Sequence, residues 1–304
     1  MVTLWGHDIS WLVWFCAAGK SFFVGTVLLT FAVLFPRLRK KTWNTLAKYF
    51  FTIAGIFLIV FSATPLAWWF YAAWAIAVFI FFLLVSARTS LALKWVRLSR
   101  VSVVCFCVIA LLTELPYHLG PKITKENFES LYIIGDSISA GIGGQGERTW
   151  PRILAGKYGV DVIDLSVPGA TVVSAVHQAH KVDSERAVVL LEIGGNDLFA
   201  PTPYALFEQS LKQIMKRVSG PKRLVVMLEL PLQPWDVPYG AIQRRLAREF
   251  NATLVPKSFF VSVLASKGAT VDLAHLSPGG HELMSKKIWL LLRPCFDAVG
   301  KNGN

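Results

Sequence analysis

The chain has 304 residues, of which 54% are hydrophobic and 16% charged, with a formal net charge of +12. Cys16, Cys105 and Cys107 lie in apolar stretches and Cys295 stands alone beyond them, so neither a disulfide framework nor a cysteine metal-ligand spacing is present. The cations gather in short runs between apolar stretches, which suits anionic lipid headgroups and argues against a nucleic-acid partner.

Polarity divides the chain near Gly120. Before it stand two acids, Asp8 and Glu114, and ten Lys and Arg; after it stand seventeen acids and twenty-one bases. Crossing a bilayer takes about 20 mostly apolar residues as a helix, because every backbone amide must be bonded internally. Four stretches in residues 1–118 meet that demand, at about 19–35, 49–65, 67–86 and 100–116. Lys20 must snorkel to an interface, so the first span starts near Gly19, and Trp5, Trp11 and Trp14 before it are expected at headgroup depth. Four such segments in a row are too many for a signal peptide or a buried core helix.

Orientation follows from the loops. Arg37, Arg39, Lys40, Lys41 and Lys48 follow the first span, and Arg88, Lys94, Arg97 and Arg100 follow the third, while the link at Thr64 and Pro65 is uncharged. The positive-inside bias puts both basic loops in the cytoplasm. Both termini and everything after Leu115 are then expected outside, on the periplasmic side of a bacterial cytoplasmic membrane. No His, Asp, Glu or Arg sits deep in the spans, so they read as an anchor and not as a transport path.

Residues 119–129 form a short polar linker. From Ser130 onward, short β-branched runs alternate with amphipathic segments. Strands are expected at Leu131–Ile134, Val160–Leu165, Ala187–Ile193, Arg223–Leu228 and Thr253–Val255. Helices are expected at Thr149–Tyr158, Pro203–Val218, Tyr239–Glu249 and Pro278–Leu292, several opened by a proline near the first turn. That alternation implies a mainly parallel five-stranded sheet covered on both faces, with ligands at the carboxyl ends of the strands.

Three groups of residues fall at those ends. Gly135-Asp136-Ser137 follows the first strand, where a serine hydroxyl would stand at the open edge of the sheet, although Asp-Ser pairs also make turns and caps. Gly194-Gly195-Asn196-Asp197 follows the third strand; its glycines allow close approach and the Asn196 amide can aim at an oxyanion, or the block is simply a capped glycine turn. Pro168-Gly169-Ala170-Thr171, after the second strand, is a turn whose Gly169 N–H could face the same pocket. Before the last helix, Asp272 and His275 are spaced so that the carboxylate can fold back and hold the imidazole as a general base. His281 reads as a helix residue that packs or bonds locally. Pro231, Pro234, Trp235 and Pro238 follow the fourth strand; Pro234 and Trp235 are candidates for binding an acyl chain, although such loops also merely close a core.

The order of these blocks resembles the SGNH (or GDSL) hydrolase family over about Ser130 to Pro294, in particular its arylesterase and lysophospholipase-thioesterase branch. The resemblance implies a flavodoxin-like α/β/α sandwich over 130–304 and metal-free hydrolysis of acyl esters without a cofactor. It implies that Ser137 is the nucleophile, that Asp272 and His275 complete a triad, and that the oxyanion lies between the Ser137 N–H, the Gly169 N–H and the Asn196 side chain. Asp164 stands where that branch often has Asn, Pro168 precedes the second-block glycine, and Leu-Ser-Pro follows His275. The expected partners are the bilayer and an acyl ester, either a lipid or an acylated glycan. Transfer of the acyl group to an envelope polysaccharide, removal of O-acetyl groups from one, and an inactive binding module are the alternatives.

Overall fold

The structure, a computed structural model, describes residues 3–4, 7–8, 10–34, 41–86, 92–144, 146–272 and 274–296. Trp5, Arg37, Arg39, Lys40, Arg88 and Leu273 lie outside the described residues. By its internal contacts the chain divides into a helical unit, Leu12–His118 with Leu232–Val237, and an α/β unit, Leu119–Pro231 with Pro238 onward and the first eleven residues.

The chain opens with a two-residue antiparallel pair, β1 (Thr3–Leu4) and β2 (His7–Asp8). Five helices follow: α1 (Ser10–Ala17), α2 (Lys20–Leu34), α3 (Lys41–Phe61), α4 (Trp68–Ser86) and α5 (Ala92–Glu114), with a 3-10 turn at Leu115–His118. Two helical stretches, Trp68–Ser86 and Lys94–His118, are each long and apolar enough to cross a membrane. The α1–α2 pair qualifies only when taken together, and it is bent by 86° where Gly19 takes φ 72°, while Leu46–Phe61 is a shorter apolar helix. Two spans, or three with the bent pair, therefore reach membrane length where four were expected. The left-handed residue at Gly19 ends α1 before it can continue into α2.

Within this unit, α2 and α3 cross at two glycines. A Cβ on Gly25 would sit 2.6 Å from the Gly55 carbonyl oxygen, and one on Gly55 2.8 Å from the Gly25 oxygen, so only glycine permits the contact. Phe22, Leu29, Trp74, Phe81 and Cys107 form the buried core beside it. The outward residues are equally apolar: Trp68 is 81% exposed, Phe79 68% and Leu112 65%. Glu114, at the end of α5, is fully buried, and its carboxylate meets His118 Nε2 at 3.0 Å.

In the α/β unit the elements are β3 (Ser130–Gly135), α6 (Ser137–Ala140), α7 (Trp150–Tyr158), β4 (Val162–Asp164), α8 (Val172–His180), β5 (Ala187–Glu192), α9 (Gly195–Phe199), α10 (Tyr204–Val218), β6 (Leu224–Leu228), α11 (Val237–Glu249), β7 (Thr253–Val255), α12 (Lys257–Leu264) and α13 (Pro278–Leu292). All five strands are parallel, in the order β4-β3-β5-β6-β7. Every residue of β3 and β5 is buried, as strands covered on both faces must be. The strand order reverses between β3 and β5, which makes the carboxyl ends of those two strands the place where such a sheet holds a ligand. Helices α6, α8, α9 and α12 are additional to the four expected.

Candidate active site

The turn that carries Ser137 is held from several directions. Gly135, the last residue of β3, pairs with Glu192 at the end of β5. The Gln178 side chain on α8 brackets the same glycine, accepting its N–H at 3.0 Å and donating to its carbonyl at 3.0 Å. Asp136 caps α6 by accepting the Ile138 N–H at 2.9 Å. Ser137 is thereby presented as the second residue past the strand and the first of α6, on a turn fixed by α8 and β5.

Asn196 comes to this turn because β5 lies next to β3. Its amide donates to Asp136 Oδ2 at 3.1 Å and to the Ala170 carbonyl at 2.9 Å. It thus joins the residue before Ser137 to the residue after Gly169. Gly169 adopts φ 75°, a left-handed conformation that glycine takes without strain, in a turn closed by the Ala170 N–H on the Val167 carbonyl. Among the described residues, neither the Ser137 N–H nor the Gly169 N–H is taken up by a hydrogen bond. Asp197 ties the two blocks together from below: buried, it accepts the Val172 N–H at 2.8 Å and the Thr202 hydroxyl at 2.6 Å.

Asp272 and His275 sit on a loop closed by the antiparallel bridge between Thr270 and Leu276. Asp272 Oδ1 accepts the N–H groups of Ala274 and His275, both at 2.7 Å, and its Oδ2 lies 2.7 Å from His275 Nδ1. The hydrogen bond from the imidazole, followed by those two N–H groups, pulls the Asp272 carboxyl down to about 2, so it is ionised at any ordinary pH. Held this way, Nδ1 carries the proton and Nε2 is left as the acceptor. The ring acts electrostatically on Asp136, next to Ser137 in the chain. Among the described residues the Ser137 hydroxyl and His275 Nε2 make no hydrogen bond, which leaves both available.

One acid that the sequence reading did not single out lies beside this turn. Glu192 is buried and accepts the Ser139 hydroxyl at 2.7 Å. Burial, and then the nearby Asp136 charge, raise its pKa well above the carboxylate range. Burial raises Asp136 to about 6, against the pull of the Ile138 N–H and His275. An acid alone in an otherwise apolar β-branched run, as in Ala187–Ile193, was the available signal for Glu192. Since these folded-state values lie above the unfolded ones, the folded protein binds protons more tightly, and their contribution to stability falls as pH rises. Asp136→Asn should remove a fall of up to about 2–3 kcal/mol between roughly pH 4 and 6. Thermal midpoints of mutant and wild type measured across pH 4–7 check this; parallel curves would refute it.

His281 does not bond locally, as expected from its place in a helix. It is buried in α13, where its Nδ1 accepts the Trp150 N–H at 3.2 Å and its Nε2 meets Glu147 at 3.2 Å. Glu147 also accepts the N–H groups of Ile142, Gly143 and Gly144, fastening the glycine-rich loop after α6. Trp235 is exposed and Pro234 half-buried; both fall in the segment that groups with the helical unit and not with the cluster around Ser137. The four cysteines are free.

A serine at the carboxyl end of a parallel strand, an asparagine amide tied to the turn beside it and an Asp–His pair whose ring acts on the serine's neighbour are the parts that a serine ester hydrolase uses. Residues 133–283 match the GDSL-like Lipase/Acylhydrolase family. The chain is similar to thioesterase 1/protease 1/lysophospholipase L1 of Escherichia coli K12, 29% identical over 137 residues, or 42% of this chain. That match spans 66% of the relative's length, just under two thirds. Esterase TesA of Pseudomonas aeruginosa is 25% identical over 55% of this chain and 89% of its own length, and an arylesterase of Vibrio mimicus 26% identical over 46% and 74%. Among solved structures, the psychrotrophic esterase EstA from Pseudoalteromonas sp. covers 54% of this chain and 97% of its own at 19% identity, with a TM-score of 0.48.

Proposed function

We propose that this protein is a membrane-held carboxylic ester hydrolase in which Ser137, His275 and Asp272 form the triad and the Ser137 N–H, the Gly169 N–H and the Asn196 amide form the oxyanion site. The observation that carries this reading is the bridge made by Asn196 between Asp136 and Ala170, which joins the residue before Ser137 to the residue after Gly169. His275 Nε2 takes the hydroxyl proton as Ser137 Oγ bonds to the ester carbonyl carbon. The developing oxyanion is met by the two unengaged backbone N–H groups and by the Asn196 amide, which exchanges one of its resting hydrogen bonds for it. Collapse breaks the bond to the alcohol, which leaves with the proton from His275, and a water then repeats the cycle on the acyl-enzyme.

The substrate we propose is a lysophospholipid. In this reading the two membrane-length apolar helices are joined in a four-span anchor by the bent α1–α2 pair and the shorter apolar α3, and support comes from the exposed apolar side chains of Trp68, Phe79 and Leu112. The basic loops put both termini and the hydrolase domain outside the cytoplasm. The E. coli relative is named in part as a lysophospholipase, which supports the substrate class.

A fluorophosphonate probe tests the centre directly, since it reacts only with a serine activated by a working base. Labelling is expected on the peptide containing Ser137 and is expected to disappear in His275→Ala. An unlabelled wild-type chain, or equal labelling of Ser137→Ala, would overturn the assignment.

A further inference from the structure

Beside the nucleophile turn lies a cleft of about 470 Å³ that the reaction above does not use. It exists because Ala140 and Gly141, just past Ser137, and Ala155 on α7 are too small to fill it. Pro168, directly before Gly169 in the chain, and Ala140, three residues past Ser137, both form part of its wall. Its charged groups are Arg152 on α7 and Asp164 at the end of β4. Arg152 makes no ion pair among the described residues, yet it draws the Asp164 carboxyl down against burial, which pushes that carboxyl up. Asp164 Oδ1 accepts the Ser166 N–H at 3.0 Å, which fixes the direction of the carboxylate. Asp164 and Pro168 are two of the positions at which the sequence departs from its nearest branch of hydrolases, and they meet here.

A cleft with one unpaired guanidinium, one oriented carboxylate and no aromatic ring in its lining is complementary to a small dipolar group. We propose that it is the subsite for a zwitterionic phospho-ammonium head group on the alcohol side of the ester, with the phosphate on Arg152 and the ammonium on Asp164. Guanidinium presents paired N–H donors in the geometry that phosphate oxygens accept, which a lysine would not. The proposal rests on the ester-hydrolase reading and assigns what that reading leaves open, the leaving group.

The test uses the purified full-length protein and three hexanoyl esters, each kept below its micelle concentration: lysophosphatidylethanolamine, lysophosphatidic acid and monoacylglycerol. Arg152→Gln should lower kcat/KM for both phosphate-bearing esters, relative to the glycerol ester, by about tenfold, mostly through KM. Asp164→Asn should lower the ethanolamine ester relative to lysophosphatidic acid and leave the ratio of lysophosphatidic acid to the glycerol ester in place. Ala155→Leu, which fills the cleft with an apolar side chain, should act like Arg152→Gln. Unchanged ratios in Arg152→Gln, or an equal loss on all three esters, would overturn the head-group subsite. Wild-type protein that cleaves none of the three, nor p-nitrophenyl acetate, would instead overturn the hydrolase reading beneath it.

Discussion

Ser137→Ala is expected to lower kcat on p-nitrophenyl acetate by about 10⁴–10⁶-fold, or about 5–8 kcal/mol of transition-state stabilisation. The loss is large because the acyl-enzyme route disappears entirely, leaving only water attack assisted by the remaining donors. Ser137 makes no side-chain hydrogen bond among the described residues, so its removal should leave the thermal midpoint within about 1 °C of wild type. His275→Ala in the Ser137→Ala background should cost nothing further, since the two act as one unit. Steady-state kinetics on the purified variants check both statements, and wild-type turnover by Ser137→Ala would end the assignment.

Asn196→Ala should lower kcat by about 10²–10³-fold, or about 2.7–4 kcal/mol, with little change in KM. The amide meets the oxyanion only when charge develops, so its loss is felt in the transition state and not in ground-state binding. In the resting protein it also satisfies Asp136 Oδ2 and the Ala170 carbonyl, so the alanine variant leaves two acceptors without a donor. Asn196→Asp should be the more damaging change, because it sets a second carboxylate against Asp136. An unaltered kcat in Asn196→Ala would remove this residue from the oxyanion site.

The sheet and the arrangement of the blocks were legible because apolar β-branched runs announce buried parallel strands, and each block follows one of them directly. β7 is found at the residues expected, and β3, β5 and β6 within one residue at either end. Helix α8 was not legible: Val172, Val173 and Val176 give it the composition of a strand, and what starts it as a helix is a local capping box of Thr171 with Ser174 joined to a tertiary contact, the Val172 N–H on Asp197. Helix α12 was hidden for the same reason by Phe259, Phe260, Val261 and Val263. In the helical unit, α2 and α4 fall within one residue of the apolar stretches read at 19–35 and 67–86, whereas α3 and α5 begin eight residues before those read at 49–65 and 100–116, because hydropathy does not register the polar turns that precede an apolar run in the same helix. Glu192 was overlooked because a carboxylate in a motif region reads as surface until burial is seen. His281 shows the opposite limit: a period of 3.6 places a residue on a helix but cannot say which distant backbone amide it will meet.

Because one carboxamide on α8 satisfies both peptide groups of Gly135, that helix and the strand end beneath the nucleophile share one fate. If α8 lifts away, the buried Gly135 N–H loses its partner, the Gly135 carbonyl is left with the Val167 N–H alone, and the Val172 N–H leaves Asp197 in the same event. The catalytic turn should therefore open as a cooperative patch, with the amide protons of Gly135 and Val172 exchanging with solvent at a common rate, ahead of those in the middle of β5.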